Sequence, residues 1–239
     1  MTLEERIRQR FQQACVRYQL TRDDDRILVG LSGGKDSLCL LELLARRAKI
    51  QHPRFSVEAV HVRMENIRYE TSTDYLEDFC RSLDVPLHIV TTRFDEPAQG
   101  QKAKPACFLC SWMRRKQIFN LAQQLGCNKI ALGHHQDDII HTALMNLLYQ
   151  GHFATMPTRL KMRKMPITII RPLCLEHEAD IEAFAELRGY EKQAKRCPHE
   201  RETNRTVARR FFEQAEMLNP ETRYSIWSAL ECEGRLVEE

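Results

Sequence analysis

Ser32-Gly33-Gly34-Lys35-Asp36-Ser37 puts two glycines, a cation, a carboxylate and two hydroxyls into one short stretch. A glycine turn that opens a helix presents backbone N–H groups and the positive helix end to an anion. Lys35 adds a point charge, and Ser32 and Ser37 add hydroxyl donors. A polyphosphate is the ligand that suits this set best. The Walker A pattern is excluded, because it needs a glycine four residues ahead of Gly-Lys and Ser or Thr directly after the lysine. Val29 and Asp36 occupy those two positions. The alternative without chemistry is a turn that only packs closely.

A second set follows at Gly133-His134-His135-Gln136-Asp137-Asp138. Carboxylates at the start of a helix can hold Mg²⁺ against phosphate oxygens, so Asp137 and Asp138 are candidate magnesium ligands, with Asp36 as a further one. Helix capping is the competing role for a first-turn aspartate. A third set is Cys107-Phe108-Leu109-Cys110. Thiolates at a helix start have depressed pKa values and bind metal or attack sulfur, and Arg114, Arg115 and Lys116 add positive charge. A lone CxxC can be half a zinc site, a redox pair, half an iron–sulfur site or two core residues, and its place well beyond the first βαβ unit argues against a thioredoxin-type pair. Cys197 and His199 are the downstream residues able to complete a zinc site. Of the remaining cysteines, Cys39, Cys80 and Cys174 read as packing residues, and Cys15, Cys127 and Cys232 have no partners at useful spacing along the sequence.

The elements that must position these groups alternate regularly. Apolar or alternating runs at 26–31, 56–62, 87–91, 129–133 and 168–171 are separated by helical patterns at 35–49, 73–83, 111–125, 137–149 and 179–188. That alternation predicts an α/β fold, a doubly wound five-stranded parallel sheet with ligands at the carboxyl ends of its strands. An N-terminal helix spans 3–20, and further helices follow from 206 to 218 and from 220 onward. The expected organisation is an N-terminal helix over 1–24, an α/β domain over 25–190 that carries the glycine turn and a C-terminal segment over 191–239.

The chain has 239 residues, 43% of them hydrophobic, and a net charge of +3, ordinary for a core-forming soluble protein. No apolar run is long enough to span a membrane, and the N-terminus lacks the form of a signal peptide. A cytoplasmic location is expected, and the nine cysteines then fit thiol, metal or sulfur chemistry better than disulfides. Arg159, Lys161, Arg163 and Lys164 cluster in one loop-like stretch, and Arg201, Arg205, Arg209 and Arg210 in another. Such clusters neutralise nucleic-acid phosphates or simply form a solvated surface.

The Ser-Gly-Gly-Lys-Asp-Ser string resembles the pyrophosphate loop of the PP-loop (N-type) ATP pyrophosphatases. The Gly-His-His-x-Asp-Asp segment, 142–151, 156–160 and Ile170-Arg171-Pro172-Leu173 resemble the TtcA-like tRNA 2-thiocytidine synthetases, over roughly residues 27–230. The resemblance implies that Ser32–Ser37, Gly133 and His134 bind ATP and that Lys35 and Asp36 take part in catalysis. It also implies that Cys107, Cys110 and Cys197 hold a [4Fe–4S] cluster that delivers sulfur. The family commonly carries Cys-x-x-Cys in the later segment, whereas Arg196-Cys197-Pro198-His199 keeps one cysteine, which is aligned with the second of that pair. The implied reaction adenylates C2–O of a cytidine at position 32 of the tRNA anticodon loop and replaces that oxygen with sulfur. The implied partners are tRNA, contacted by Arg159, Lys161, Arg163, Arg205 and Arg209, a sulfur donor such as a cysteine desulfurase, and a second copy of the chain in a homodimer. Related alternatives are a 2-thiouridine synthetase or a lysidine-synthetase-like ligase, with structural zinc or a persulfide-forming cysteine pair. A nucleotide-binding module without chemistry is the alternative from another class.

Overall fold

Ile27, Leu28 and Val29 are fully buried, as expected of a strand covered on both faces. They belong to a computed structural model that describes residues 1–94, 105–196 and 204–239. Along the chain the elements are α1 (Leu3–Arg17), β1 (Asp25–Gly30), α2 (Lys35–Ala48), β2 (Phe55–Met64), β3 (Arg68–Tyr69) and α3 (Asp74–Ser82). Next come β4 (Leu87–Thr92), α4 (Ala106–Gln124), β5 (Lys129–Ala131), α5 (Gln136–Gln150), β6 (Arg159–Lys161) and β7 (Thr168–Ile170). Then follow α6 (Glu178–Arg188), β8 (Lys195–Arg196), α7 (Asn204–Leu218), α8 (Thr222–Cys232) and β9 (Val237–Glu238). The chain folds into two compact units, one of 21–132 with 185–200, the other of 1–20, 133–184 and 201–239.

The first unit is the α/β layer expected from the alternation. Its strands run in the order β4-β2-β1-β5, all parallel, with Ile27 beside Val57 on one side and Lys129 on the other. Asp25 opens β1 with its carboxylate buried. It accepts from Lys129 Nζ at 2.6 Å and Asn128 Nδ2 at 2.9 Å, so β1 opens on an internal ion pair. β3 and β8 form a separate antiparallel pair.

In the second unit α1 starts with a capping box, Glu5 N donating to Thr2 Oγ1 at 3.2 Å and Thr2 N to Glu5 Oε2 at 2.8 Å. It buries Ile7, Phe11 and Ala14, the stripe its periodicity predicts. The fifth expected strand is β7, which within this unit pairs antiparallel with β6. That hairpin corrects the loop reading of the first basic cluster. Arg159 to Lys161 form a strand between β7 and β9, hidden in the sequence because its polar residues break the apolar alternation. Among the described residues no helix is long and apolar enough to cross a membrane.

Candidate active site

The phosphate-loop residues sit where the strand–turn–helix reading puts them. Leu31 N donates to Val60 O at 2.8 Å, and the ring of His61, itself buried, meets Leu31 O through Nδ1 at 2.7 Å. These contacts fix the end of β1. The turn then reverses at Gly33, whose φ of +82° is left-handed backbone that suits glycine. Ser37 Oγ donates to Gly34 O at 2.9 Å and lies 3.1 Å from Ser32 Oγ, so the two serines brace the turn. Gly34 caps α2 without a side-chain hydrogen bond, and the N-terminal end of that helix favours an anion. Lys35 Nζ rests 3.0 Å from Asp36 Oδ1, with only 12% of the lysine side chain exposed.

The His-His-x-Asp-Asp residues cap α5 in the other unit. His135 is the N-cap, and its N–H donates to Asp138 Oδ2 at 3.2 Å. Asp137 is engaged on both oxygens. Oδ2 accepts from Glu178 N at 2.8 Å, and Oδ1 lies 2.8 Å from Arg223 Nη2. Burial alone would raise its carboxyl, but His135, Arg223 and the Glu178 amide hold it well below the usual carboxylate range. Asp138 is engaged too, with Oδ1 3.4 Å from Arg205 Nη2 beside the bond that Oδ2 accepts from His135. Burial, aided by Arg171, pushes His134 down to about 4. Arg171 Nε donates to His134 Nδ1 at 3.3 Å, which leaves the proton of the neutral ring on Nε2.

Cys107 is exposed and Cys110 half-buried, and neither forms a disulfide. The sequence reading places them ahead of a helix that starts at Ser111, whereas α4 starts at Ala106. Pro105 is the reason. Its φ of −54° is already preset for helix entry, so both thiols lie in the opening turns and, three residues apart, share one helix face. Arg114 on the same helix donates to Tyr69 Oη at 3.1 Å. Cys197 and His199 lie outside the described residues, as does Arg201. Among the described residues no group of three or more His, Cys, Asp or Glu is placed to hold a metal.

The sequence matches the PP-loop domain family over residues 3–214. The chain belongs to that family. This PP-loop protein is 35% identical over 190 residues to the tRNA-cytidine(32) 2-sulfurtransferase of Paraburkholderia xenovorans, covering 79% of the chain and 56% of that relative. The tRNA-cytidine(32) 2-sulfurtransferase of Alkalilimnicola ehrlichii is 32% identical over 233 residues, 96% of the chain and 74% of the relative. In fold, the PP-loop protein resembles the U34-tRNA thiolase NcsA from Methanococcus maripaludis, solved with its [4Fe–4S] cluster. The TM-score is 0.79 at 23% identity, over 96% of this chain and 78% of that one.

The basic residues separate by their partners. Lys161 is exposed on β6, and Arg163 is exposed in the turn that follows. Arg159 pairs with Glu239 at 2.8 Å and Arg209 with Glu213 at 2.9 Å, while Arg205 faces Asp138. Arg223 was not legible as a site residue, because nothing in its local sequence marks it as the partner of a distant aspartate. Cys39, Cys80 and Cys174 are buried, as their packing role predicts, and burial raises the Cys80 thiol to about 12.

Glu176 supports the same helix start in the PP-loop protein. Its carbonyl accepts from Gln136 N at 3.0 Å, while its side chain is fully buried with Arg10 Nη1 3.9 Å away. Burial raises its carboxyl from 4.5 to about 8. Between those two values the folded chain keeps a proton that the unfolded chain has lost, so stability falls as pH rises through this window. Glu176→Gln removes the titration. Thermal melts should show the variant gaining several degrees more over wild type at pH 8 than at pH 5, and an equal difference at both pH values would refute the buried proton.

Proposed function

We propose that the chain is an ATP-dependent tRNA sulfurtransferase that converts cytidine 32 of the anticodon loop to 2-thiocytidine, releasing AMP and pyrophosphate. The observation that carries this reading is a phosphate loop without Walker spacing and a pair of accessible thiols in one chain, together with 32% identity along 96% of its length to a tRNA-cytidine(32) 2-sulfurtransferase. The loop Ser32–Ser37 holds the ATP tail, with Lys35 neutralising charge on the departing phosphates. The C2 carbonyl oxygen of the cytidine attacks the α-phosphorus, and the bond to the β-phosphate breaks as pyrophosphate leaves. The oxygen has then become part of a leaving group. Sulfide adds at C2, the C2–O bond breaks, and AMP departs. The work of the chain is positioning and charge stabilisation rather than side-chain nucleophilicity.

His134, a neutral donor through Nε2, and Gly133 serve the nucleotide. Asp138 serves Mg²⁺, which takes carboxylate and phosphate oxygens together, and Asp36 adds negative charge next to Lys35. Asp137 instead holds His135 and Arg223 in place. The donor set of Cys107 and Cys110, two thiols on one face of an accessible helix start, fits two corners of a Cys-ligated cluster. With Cys197 as the third ligand, a [4Fe–4S] cluster would supply sulfur-transfer chemistry. Lys161 and Arg163 contact RNA phosphates directly. Arg159, Arg205 and Arg209 do so by exchanging a carboxylate partner for phosphate. A cysteine desulfurase supplies the sulfur, the chain acts as a homodimer, and it works in the cytoplasm. The test is the thionucleoside content of tRNA from cells lacking this chain. Loss of 2-thiocytidine alone is expected, and loss of a 2-thiouridine instead would reassign the substrate.

A further inference from the structure

Gln193 lies on the phosphate loop. Its backbone N–H donates to Gly33 O at 2.9 Å. A Cβ added to Gly33 would come within 2.7 Å of Gln193 Cβ and 3.1 Å of Gln193 Oε1, so glycine at position 33 is what allows the approach. The carboxamide is nonetheless unsatisfied, since Oε1 and Nε2 are both buried without a hydrogen-bond partner. A primary amide carries two N–H donors and an oxygen with two lone pairs, and burying such a group without partners is costly and rare. The loop does not satisfy it. Ser37 Oγ is spent on Gly34 O, and Ser32 Oγ accepts from Gly34 N at 3.3 Å.

The residues on either side hold Gln193 at this place. Tyr190 Oη donates to the buried Glu42 of α2 at 2.6 Å. Ala194 is held twice, its N–H donating to Thr71 Oγ1 at 3.1 Å and its carbonyl accepting from Glu70 N at 2.9 Å. The backbone that carries the amide is therefore held beside the loop before any ligand arrives, which lowers the ordering cost of a hydrogen bond from it.

We propose that Gln193 is a phosphate-binding residue of the loop, its Nε2–H donating to an oxygen of the β or γ phosphate of ATP and then of the pyrophosphate product. This rests on the reading of Ser32–Ser37 as the cradle for the ATP tail. A neutral amide adds a directed donor beside Lys35 without adding charge. It recognises the part of the nucleotide that leaves, so the contact belongs to ATP and pyrophosphate and is absent with AMP.

Titration calorimetry of the full chain with pyrophosphate, ATP and AMP tests this. Gln193→Met keeps length and volume but removes the amide, and Gln193→Glu keeps the shape but opposes phosphate with a carboxylate. A hydrogen bond to a charged acceptor makes the expected loss of pyrophosphate and ATP affinity roughly tenfold or more for the Met variant. The Glu variant should lose more, and AMP affinity should stay at the wild-type value in both. In turnover, the KM for ATP should rise by a similar factor with kcat nearly unchanged. If the Met variant does not fold, the near-isosteric Glu variant answers the same question. Unchanged pyrophosphate affinity in the folded variants overturns the proposal, and so does an equal loss for AMP, which would make Gln193 a packing residue. A loss of adenylation with intact ATP binding would also overturn it, by placing the amide on the RNA base. Wild-type protein that binds neither ATP nor pyrophosphate would overturn the loop reading itself, a result separate from these.

Discussion

Lys35→Ala should slow tRNA-dependent formation of AMP and pyrophosphate by about 100- to 1000-fold, the loss typical of removing one preorganised group from developing charge. The argument rests on where the lysine is. Its ammonium is mostly shielded, 12% exposed, and sits beside Asp36 at the first residue of α2. The N-terminal end of α2 already favours negative charge, and the lysine concentrates that preference on the phosphate that leaves. Asp36, 3.0 Å from the ammonium, is the carboxylate that a bound phosphate chain would have to compete with. Quenched-flow assay of labelled ATP with tRNA measures the rate. The melting temperature should stay close to that of wild type, because the Lys35–Asp36 pair is partly exposed and contributes little to stability. A Lys35→Ala protein that releases pyrophosphate at the wild-type rate would remove the loop from the reaction.

The second large effect separates activation from sulfur delivery. Cys107→Ala and Cys110→Ala should each lower 2-thiocytidine formation to background, while tRNA-dependent ATP cleavage persists within a few-fold of wild type. The basis is that the two thiols stand on the opening turns of α4, whereas the loop is braced by its own serines, by His61 and by Val60. Removing either thiol leaves those braces intact. Nucleoside mass spectrometry and pyrophosphate release, run on the same reaction, report the two steps independently. Cysteine variants that still thiolate tRNA would return Cys107 and Cys110 to the status of surface residues.

Much of this was legible from local pattern. The helix expected over 35–49 is observed at Lys35–Ala48, and the one expected over 137–149 at Gln136–Gln150. α2 carries a strong apolar face, and both begin at turns with clear chemistry. The early start of α4 was obscured because Ala106 to Cys110 lacks the polar–apolar contrast on which a period is read, and the signal that could have found it was Pro105. β6 was missed for a similar reason, as three residues with two cations read as loop. The roles of Asp137 and Gln193 were out of reach for a different cause. A motif marks residue types along the chain, but whether a carboxylate is open to a metal depends on partners brought in by folding. Arg223 and Glu178 close Asp137, and neither adjoins it in sequence. Gln193 belongs to no motif at all, and only its contact with Gly33 gives it meaning.

The most direct test of the central claim is to supply the purified chain with ATP, Mg²⁺, a sulfide source and two tRNA transcripts, one with cytidine and one with uridine at position 32. Mass spectrometry of the digested products then locates the sulfur. The account predicts 2-thiocytidine at position 32 of the first transcript, formed with one AMP per sulfur, and no thionucleoside in the second. Sulfur on a uridine, or AMP formed on both transcripts with no sulfur on either, would contradict it.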